Sequence, residues 1–452
     1  LIFSAPRFVV VDDREHHLQA ITKTFELLGT PCMGVRYDPA VKLNQEHFRG
    51  VRCLFMDLHL VDGQASTDQK RHYALIASIL EDNINKKGGP FVLVVWTEHA
   101  HLSAELRDYL DKIIDAEKPH ARPLAVLSLA KDKFINVDDG NALNAAELRD
   151  AVQQSIMSNP QLAALLGWEA GVLAAAGDTL VSLLDLVPSE QRTSSNFPSA
   201  LDTVLSRLTK ETVGRSHVDV NPRAAITTAL APILIDRIFN QDIPEQAQAV
   251  WKNAVTRHED NALEDASPTE AGKINRMLHL AVPGSETLLP TDWGAVVAWP
   301  FEWNDEQLSR FTGLSKKEML CNEFKLRSAA MEACRPVLVR VGAACDYAQN
   351  NRGPISFLFG LDIPESAERQ KKGDQPVKLP DAIWKSPLFL MPDATEPSRL
   401  HVHIRFPQTH LQDVCAMWAT TYCRLREQLL MHLINSASSY VARPGIVQLP
   451  VK

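Results

Sequence analysis

Phe8-Val9-Val10-Val11-Asp12-Asp13 decides the reading of this chain: four apolar residues run straight into two carboxylates. A second run of the same kind, Cys53-Leu54-Phe55-Met56, ends in Asp57. Both have the length and composition of buried strands. Between them, Glu15 to Leu28 spaces Leu18, Ile21, Phe25 and Leu28 along one helical face. Two strands about one βαβ unit apart thus each deliver carboxylate at their C-terminal ends. Open parallel sheets take their ligands just beyond those ends. Three carboxylates converging there suit a hard divalent cation, and one of them suits a nucleophile.

Outward from this core, Cys32–Val35, Phe91–Trp96 (FVLVVW) and Leu124–Leu129 (LAVLSL) read as further strands, and Ser103 caps a helix through Ile114. Near-continuous hydrophobic strands separated by helices imply an α/β domain over residues 1–141, a parallel sheet covered on both faces. Residues 142–285 turn helical: Ala145–Met157, Pro160–Leu186 with bends near Gly171 and Gly177, Pro198–Thr212, Asn221–Phe239, Pro244–Arg257 and Pro268–Leu280. Asn221-Pro222 and Ser267-Pro268 are start signals, a capping side chain followed by proline in the first turn.

From 286 the composition suits an α+β domain. Strands are expected at Gly294–Trp299, Pro336–Val341, Ile355–Leu361, Pro387–Met391 and Leu400–Phe406, and short helices at Asn304–Phe311 and Ser315–Phe324. Ser366–Pro380 reads as a charged mobile loop. A final helix, interrupted or continuous, is expected from about Leu411 to Val441, ended by Arg443-Pro444-Gly445.

The 452 residues carry a net charge of -8, with 45% hydrophobic and 23% charged residues, and the pI is near 6.0. That balance argues against a dedicated nucleic-acid binder. No apolar stretch of 18 or more residues is apparent, so no membrane span is expected, nor is a signal peptide. Seven cysteines without a C-x-x-C spacing read as buried free thiols in a reducing cytoplasm.

The N-terminal third resembles the CheY-like receiver domain of bacterial response regulators. The residues that carry the likeness are Asp12-Asp13 after the first strand, Asp57 after the third, Thr97 after the fourth and a lysine after the fifth. Met56-Asp57-Leu58-His59-Leu60-Val61-Asp62-Gly63 resembles the family's acceptor segment without its usual proline. The resemblance implies a flavodoxin-like strand order of 2-1-3-4-5. It also implies that Asp57 accepts a phosphoryl group from a histidine kinase or phosphotransfer protein. Carried over, Asp13 and Asp57 would bind Mg2+ directly, Asp12 through water, and the His59 carbonyl would add an oxygen. A lysine would clamp the phosphoryl oxygens and Thr97 would hydrogen-bond them. Lys131 follows the fifth strand most directly, and Lys133 is the alternative. Glu98 and Ser128 depart from the family, which has a small residue and an aromatic switch at these places.

Weaker signals lie downstream. His401 and His403 alternate on one strand and could share zinc, though an exposed strand face is the simpler reading. Cys345 beside Asp346 and Tyr347 reads as a buried structural cysteine. Arg426 and His432 fit the loose R-x(4–6)-H pattern of HEPN ribonucleases, yet one long helix with a solvated charged face explains them better. Most tryptophans should be core anchors.

The sequence therefore reads as a cytoplasmic response-regulator-type protein with a non-DNA-binding output and a capacity to self-assemble. No helix-turn-helix with a basic recognition helix is evident. The unfamiliar C-terminal part broadly resembles receiver proteins of bacterial conflict and phage-defence systems. Two rival classes stand beside this: a degenerate receiver serving as a scaffold, and a phosphorylation-gated hydrolase or nuclease.

Overall fold

The structure, a computed structural model, describes residues 6–27, 29–61, 69–86, 88–97, 103–134, 145–242, 245–256, 264–284, 287–348, 353–368, 371–372, 375–418 and 421–443. Asp62, Gly63, Glu98, Pro444 and Gly445 lie outside them. The chain divides into two compact units, Leu1–Asp178 with Asp236–Asn261 and Thr179–Ile235 with Ala262–Lys452.

The first unit is built on β1 (Phe8–Asp12), β2 (Cys32–Arg36), β3 (Cys53–Asp57), β4 (Val92–Thr97) and β5 (Ala125–Ala130). All neighbours pair in parallel, in the order β2-β1-β3-β4-β5. Its helices are α1 (Glu15–Leu27), α2 (Gln69–Asn83), α3 (Ser103–Ile113) and α4 (Ala145–Met157), followed by α5 (Pro160–Asp185). Alternation along the strands builds two cores. Val9, Val11, Leu54, Met56, Leu93 and Val95 meet Tyr73, Ile76 and Leu80 of α2 and Leu106 and Leu110 of α3. Val10, Phe55, Val94 and Trp96 face the other way, onto Leu18, Ile21 and Phe25 of α1 and Leu148 and Val152 of α4. The sheet is doubly wound, as the unbroken apolar strands demand. The β2–β3 connection carries only a short 3-10 turn, Gln45–Phe48.

Helix α5 corrects the expectation that no segment is long and apolar enough to span a membrane. It runs 26 residues, and an 18-residue window within it has mean hydropathy 1.3 and is 17% buried. Small residues and the scattered acids Glu169 and Asp178 break up that window in the sequence. Glu169 ties the helix to the sheet: its carboxylate accepts from Arg7 Nη1 at 2.6 Å and from Arg52 Nε at 2.8 Å. Both arginines sit at the N-terminal ends of strands, opposite the Asp12 and Asp57 end. Burial pushes the Glu169 carboxyl up, but the two guanidinium groups more than offset this and hold it below its usual range.

The second unit contains α6 (Phe197–Val213), α7 (Arg215–Val220) and most of α8 (Pro222–Phe239); α9 (Glu245–Ala254) belongs to the first. Then come α10 (Pro268–His279), β6 (Leu280–Ala281), β7 (Ala295–Ala298), α11 (Asp305–Thr312), β8 (Arg335–Val341), α12 (Ala344–Ala348) and β9 (Pro354–Pro364). The chain continues through β10 (Lys371–Lys372), β11 (Gln375–Pro376), β12 (Ile383–Lys385), β13 (Ser398–Leu411), α13 (Gln412–Ala416), β14 (Thr421–Leu425) and α14 (Glu427–Val441). Seven strands form one antiparallel sheet, ordered β12-β13-β9-β8-β7-β14-β6. Phe357, Phe359, Leu361 and Leu338 pack on one face with Met319, Leu320 and Phe324. Val337, Val339, Leu358 and Val402 pack on the other with Leu429, Leu430 and Leu433 of α14. Gly360 makes the central β9–β13 contact feasible: a Cβ there would lie 2.9 Å from the His401 carbonyl oxygen.

Of the two forms open for Leu411–Val441, the helix is interrupted: β14 divides it, because Thr421-Tyr422-Cys423-Arg424-Leu425 alternates and buries Cys423 and Leu425. Two other expectations are corrected. Pro387–Met391 contributes only an isolated bridge, Phe389 to Ser398. Ser315–Phe324 includes a wide π-type turn at Glu318–Glu323. The seven cysteines are free thiols, and Cys53, Cys334, Cys415 and Cys423 are buried, but Cys345 is exposed on α12 rather than buried.

Candidate functional site

Four side chains meet at the C-terminal edge of the parallel sheet. Asp12 closes β1 and Asp57 closes β3, so the strand ends themselves aim both carboxylates past the edge. Asp57 pairs in register with Trp96, one residue before Thr97, and Thr97 pairs with Ala130, one residue before Lys131. The site residues thus climb as a staircase across adjacent strands. Lys131 opens the 3-10 turn after β5 and is 3% exposed; Lys133, two residues on, points to solvent.

The geometry centres on the Lys131 ammonium. Its Nζ donates to Asp12 Oδ2 and Asp57 Oδ2, each at 2.8 Å. Each carboxylate turns its other oxygen to a backbone N–H two residues on. Arg14 N donates to Asp12 Oδ1 at 2.9 Å, and His59 N donates to Asp57 Oδ1 at 3.3 Å. These local turns fix both side chains before any ligand arrives. Asp13, the residue after β1, is half-buried, and Thr97 is 2% exposed.

Sequence reasoning missed the fourth member, His17. It lies in the first turns of α1, 2% exposed, with Nδ1 3.0 Å from Lys131 Nζ and 3.5 Å from Asp12 Oδ1. The shorter contact makes Nδ1 the acceptor of an ammonium N–H. A signal existed: His17 shares the buried stripe of α1 with Ala20, Ile21 and Thr24, where a polar residue needs a partner. Burial pushes the Asp12 carboxyl up, but the Lys131 ammonium and the Arg14 N–H together bring it below its ordinary value.

The donor set fits a divalent cation. Asp12, His17 and Asp57 each offer a ligand atom, and these atoms lie within 4.8 Å of one another. Two carboxylates with a nitrogen donor form a cage for a hard-to-borderline ion.

The C-terminal candidates do not converge in this way. His401 and His403 are both buried, not displayed on an exposed face, and each turns to its own acid. His401 Nε2 lies 3.5 Å from Glu368, and His403 Nε2 lies 2.9 Å from Glu323. Burial lowers the affinity of His403 for a proton, and Glu323 offsets this only in part. His432 Nδ1 accepts the indole N–H of Trp384 at 3.0 Å, and Arg426 lies just outside α14, its N–H bound to the His279 carbonyl. Arg443 pairs with Asp381 at 2.8 Å. Trp299 and Trp303 pack against Phe359. The same sheet carries a cavity of about 540 Å³ in which Asp362, Arg335 and Ser398 meet Val337 and Leu400. Burial raises the Asp362 carboxyl there despite Ser398 and Arg335.

No family model matches the chain, and no curated protein matches its sequence. Among solved structures, the low-resolution structure of the response regulator StyR is similar at a TM-score of 0.18 and 13% identity, over 55% of this chain and 100% of that one. At that score the likeness carries no argument.

Proposed function

We propose that the first unit is a phosphoacceptor receiver in which Asp57 is the nucleophile. The observation that carries this reading is Lys131 Nζ held 2.8 Å from both Asp12 and Asp57 at the C-terminal edge of a 2-1-3-4-5 parallel sheet. An Asp57 oxygen attacks the phosphorus of a phosphohistidine on a partner kinase or phosphotransfer protein. The new O–P bond forms as the N–P bond breaks and the imidazole leaves. The reacting groups are both anionic, so positive charge must already be in place. Lys131 supplies one such charge from a fixed position. Asp12, Asp13, Asp57 and the His59 carbonyl would hold Mg2+, which when bound supplies the remaining charge neutralisation. Thr97, one step beyond Asp57 on the neighbouring strand, would donate its hydroxyl to a phosphoryl oxygen, and its movement would carry the signal. Ser128 on β5 lacks an aromatic ring, so the output does not use ring rotation there.

A second reading, a silent receiver acting as a scaffold, draws support from the same lysine, since an ammonium bound to Asp12, Asp57 and His17 satisfies the site without a metal. Phosphoramidate decides between them. Incubated with Mg2+, the receiver gains one hydroxylamine-labile phosphoryl group that Asp57→Asn does not. A folded wild-type chain that gains none is the scaffold.

A further inference from the structure

We propose that His17 is a nitrogen ligand of the carboxylate site and makes it select first-row transition-metal dications over Mg2+. The inference rests on the receiver reading for the location of the ion, but its evidence is separate. His17 is almost fully buried at the start of a helix whose other buried positions are Leu18, Ala20, Ile21, Thr24 and Phe25. An imidazole kept on such a face must be satisfied, and its Nδ1 faces the same cation that Asp12 and Asp57 face.

Three donor atoms from three different elements, β1, α1 and β3, thus surround one positive centre. Their mutual separations, up to 4.8 Å, approach what a first-row dication spans. Ligand distances near 2.0–2.2 Å place opposite donors about 4.3 Å apart, so a small inward movement completes the cage. Mg2+ takes oxygen almost exclusively and gains little from imidazole. Mn2+, Co2+ and Zn2+ gain a bond they favour. The Lys131 ammonium occupies the same centre, so a metal using His17 Nδ1 must first displace the ammonium from that nitrogen. Lysine and metal are therefore competitors at His17.

The test uses the full chain. Calorimetric titrations with Mg2+ and Co2+ give the affinity ratio in wild type, His17→Ala and His17→Asn, with the Co2+ visible spectrum recorded in parallel. Pulsed EPR of Mn2+ on the wild type needs no variant and reads imidazole nitrogen directly. Expected are nitrogen modulation on bound Mn2+ and a Co2+ preference that falls about tenfold or more in both variants. Oxygen-only Mn2+ spectra, or a ratio unchanged by loss of His17, overturn the inference while Mg2+ binding dependent on Asp57 leaves the receiver reading intact. Wild-type chain that binds neither metal overturns both.

Discussion

Lys131 Nζ sits midway between Asp12 and Asp57, 2.8 Å from a carboxylate oxygen of each, with only 3% of the residue exposed. One buried ammonium therefore compensates two buried acids, and the site is stable only while some cation stands there. Removing it leaves paired anions in low dielectric, a change that costs about 3 kcal/mol in comparable buried pairs. Lys131→Ala should lower the urea midpoint accordingly, and millimolar Mg2+ should restore part of the loss. A variant as stable as wild type without metal would show that the pair is not under this charge constraint.

Asp12 carries a pH signature. Its folded-state pKa lies below the ordinary carboxylate value of 3.8, so the unfolded chain binds its proton first as pH falls. The stability it contributes is complete above about pH 5 and is lost as pH drops through the folded-state value. Asp12→Asn should flatten that acid limb of the stability curve. Identical limbs in the two proteins would contradict the assignment.

Glu368 is the corresponding carboxylate of the antiparallel sheet. Burial works against it, but His401 and Lys385 bring it from 4.5 to about 2, and Arg399 Nε lies 3.1 Å away. Its contribution is present above pH 4.5 and fades toward pH 2. Glu368→Gln should cost on the order of 2 kcal/mol at neutral pH, allowing for screening of the exposed Lys385, and little at pH 2 to 3. Unfolding curves at two pH values check this.

Gly294 precedes β7 at φ 83°, and a Cβ there would lie 2.8 Å from the Leu425 carbonyl oxygen. The same turn receives the Leu425 N–H at 2.9 Å on the Gly294 carbonyl. Gly294→Ala should therefore destabilise the antiparallel sheet by more than about 1 kcal/mol through backbone strain and steric contact. A neutral thermal shift would mean that the β7–β14 junction relaxes freely.

The parallel sheet was legible because its strands are buried on both faces, so Phe8–Val11, Cys53–Met56 and Val92–Trp96 announce themselves as unbroken apolar runs. The carboxylates at their ends were legible for the same reason: a strand that stops on Asp12 or Asp57 delivers it to the sheet edge. His17 was not, since a helix places its donor by three-dimensional packing and leaves only a polar residue on an apolar stripe. The antiparallel half was harder. Residues 421–425 are too short to outweigh the helical pattern around them, and their strand character comes from pairing with β6 and β7, far away in sequence. The apolar span in α5 was diluted by Gly, Ala and two acids, one of which, Glu169, is bound by Arg7 and Arg52.

Beryllofluoride, which mimics an aspartyl phosphate, tests the acceptor role of Asp57 without the unknown kinase. Intrinsic fluorescence and solution size, followed with Mg2+ in wild type and in Asp57→Asn, give the answer. Saturable Mg2+-dependent binding that disappears in Asp57→Asn is the expected result, with any change in size reporting assembly as the output. No binding by the folded wild-type protein would contradict a phosphoaccepting receiver.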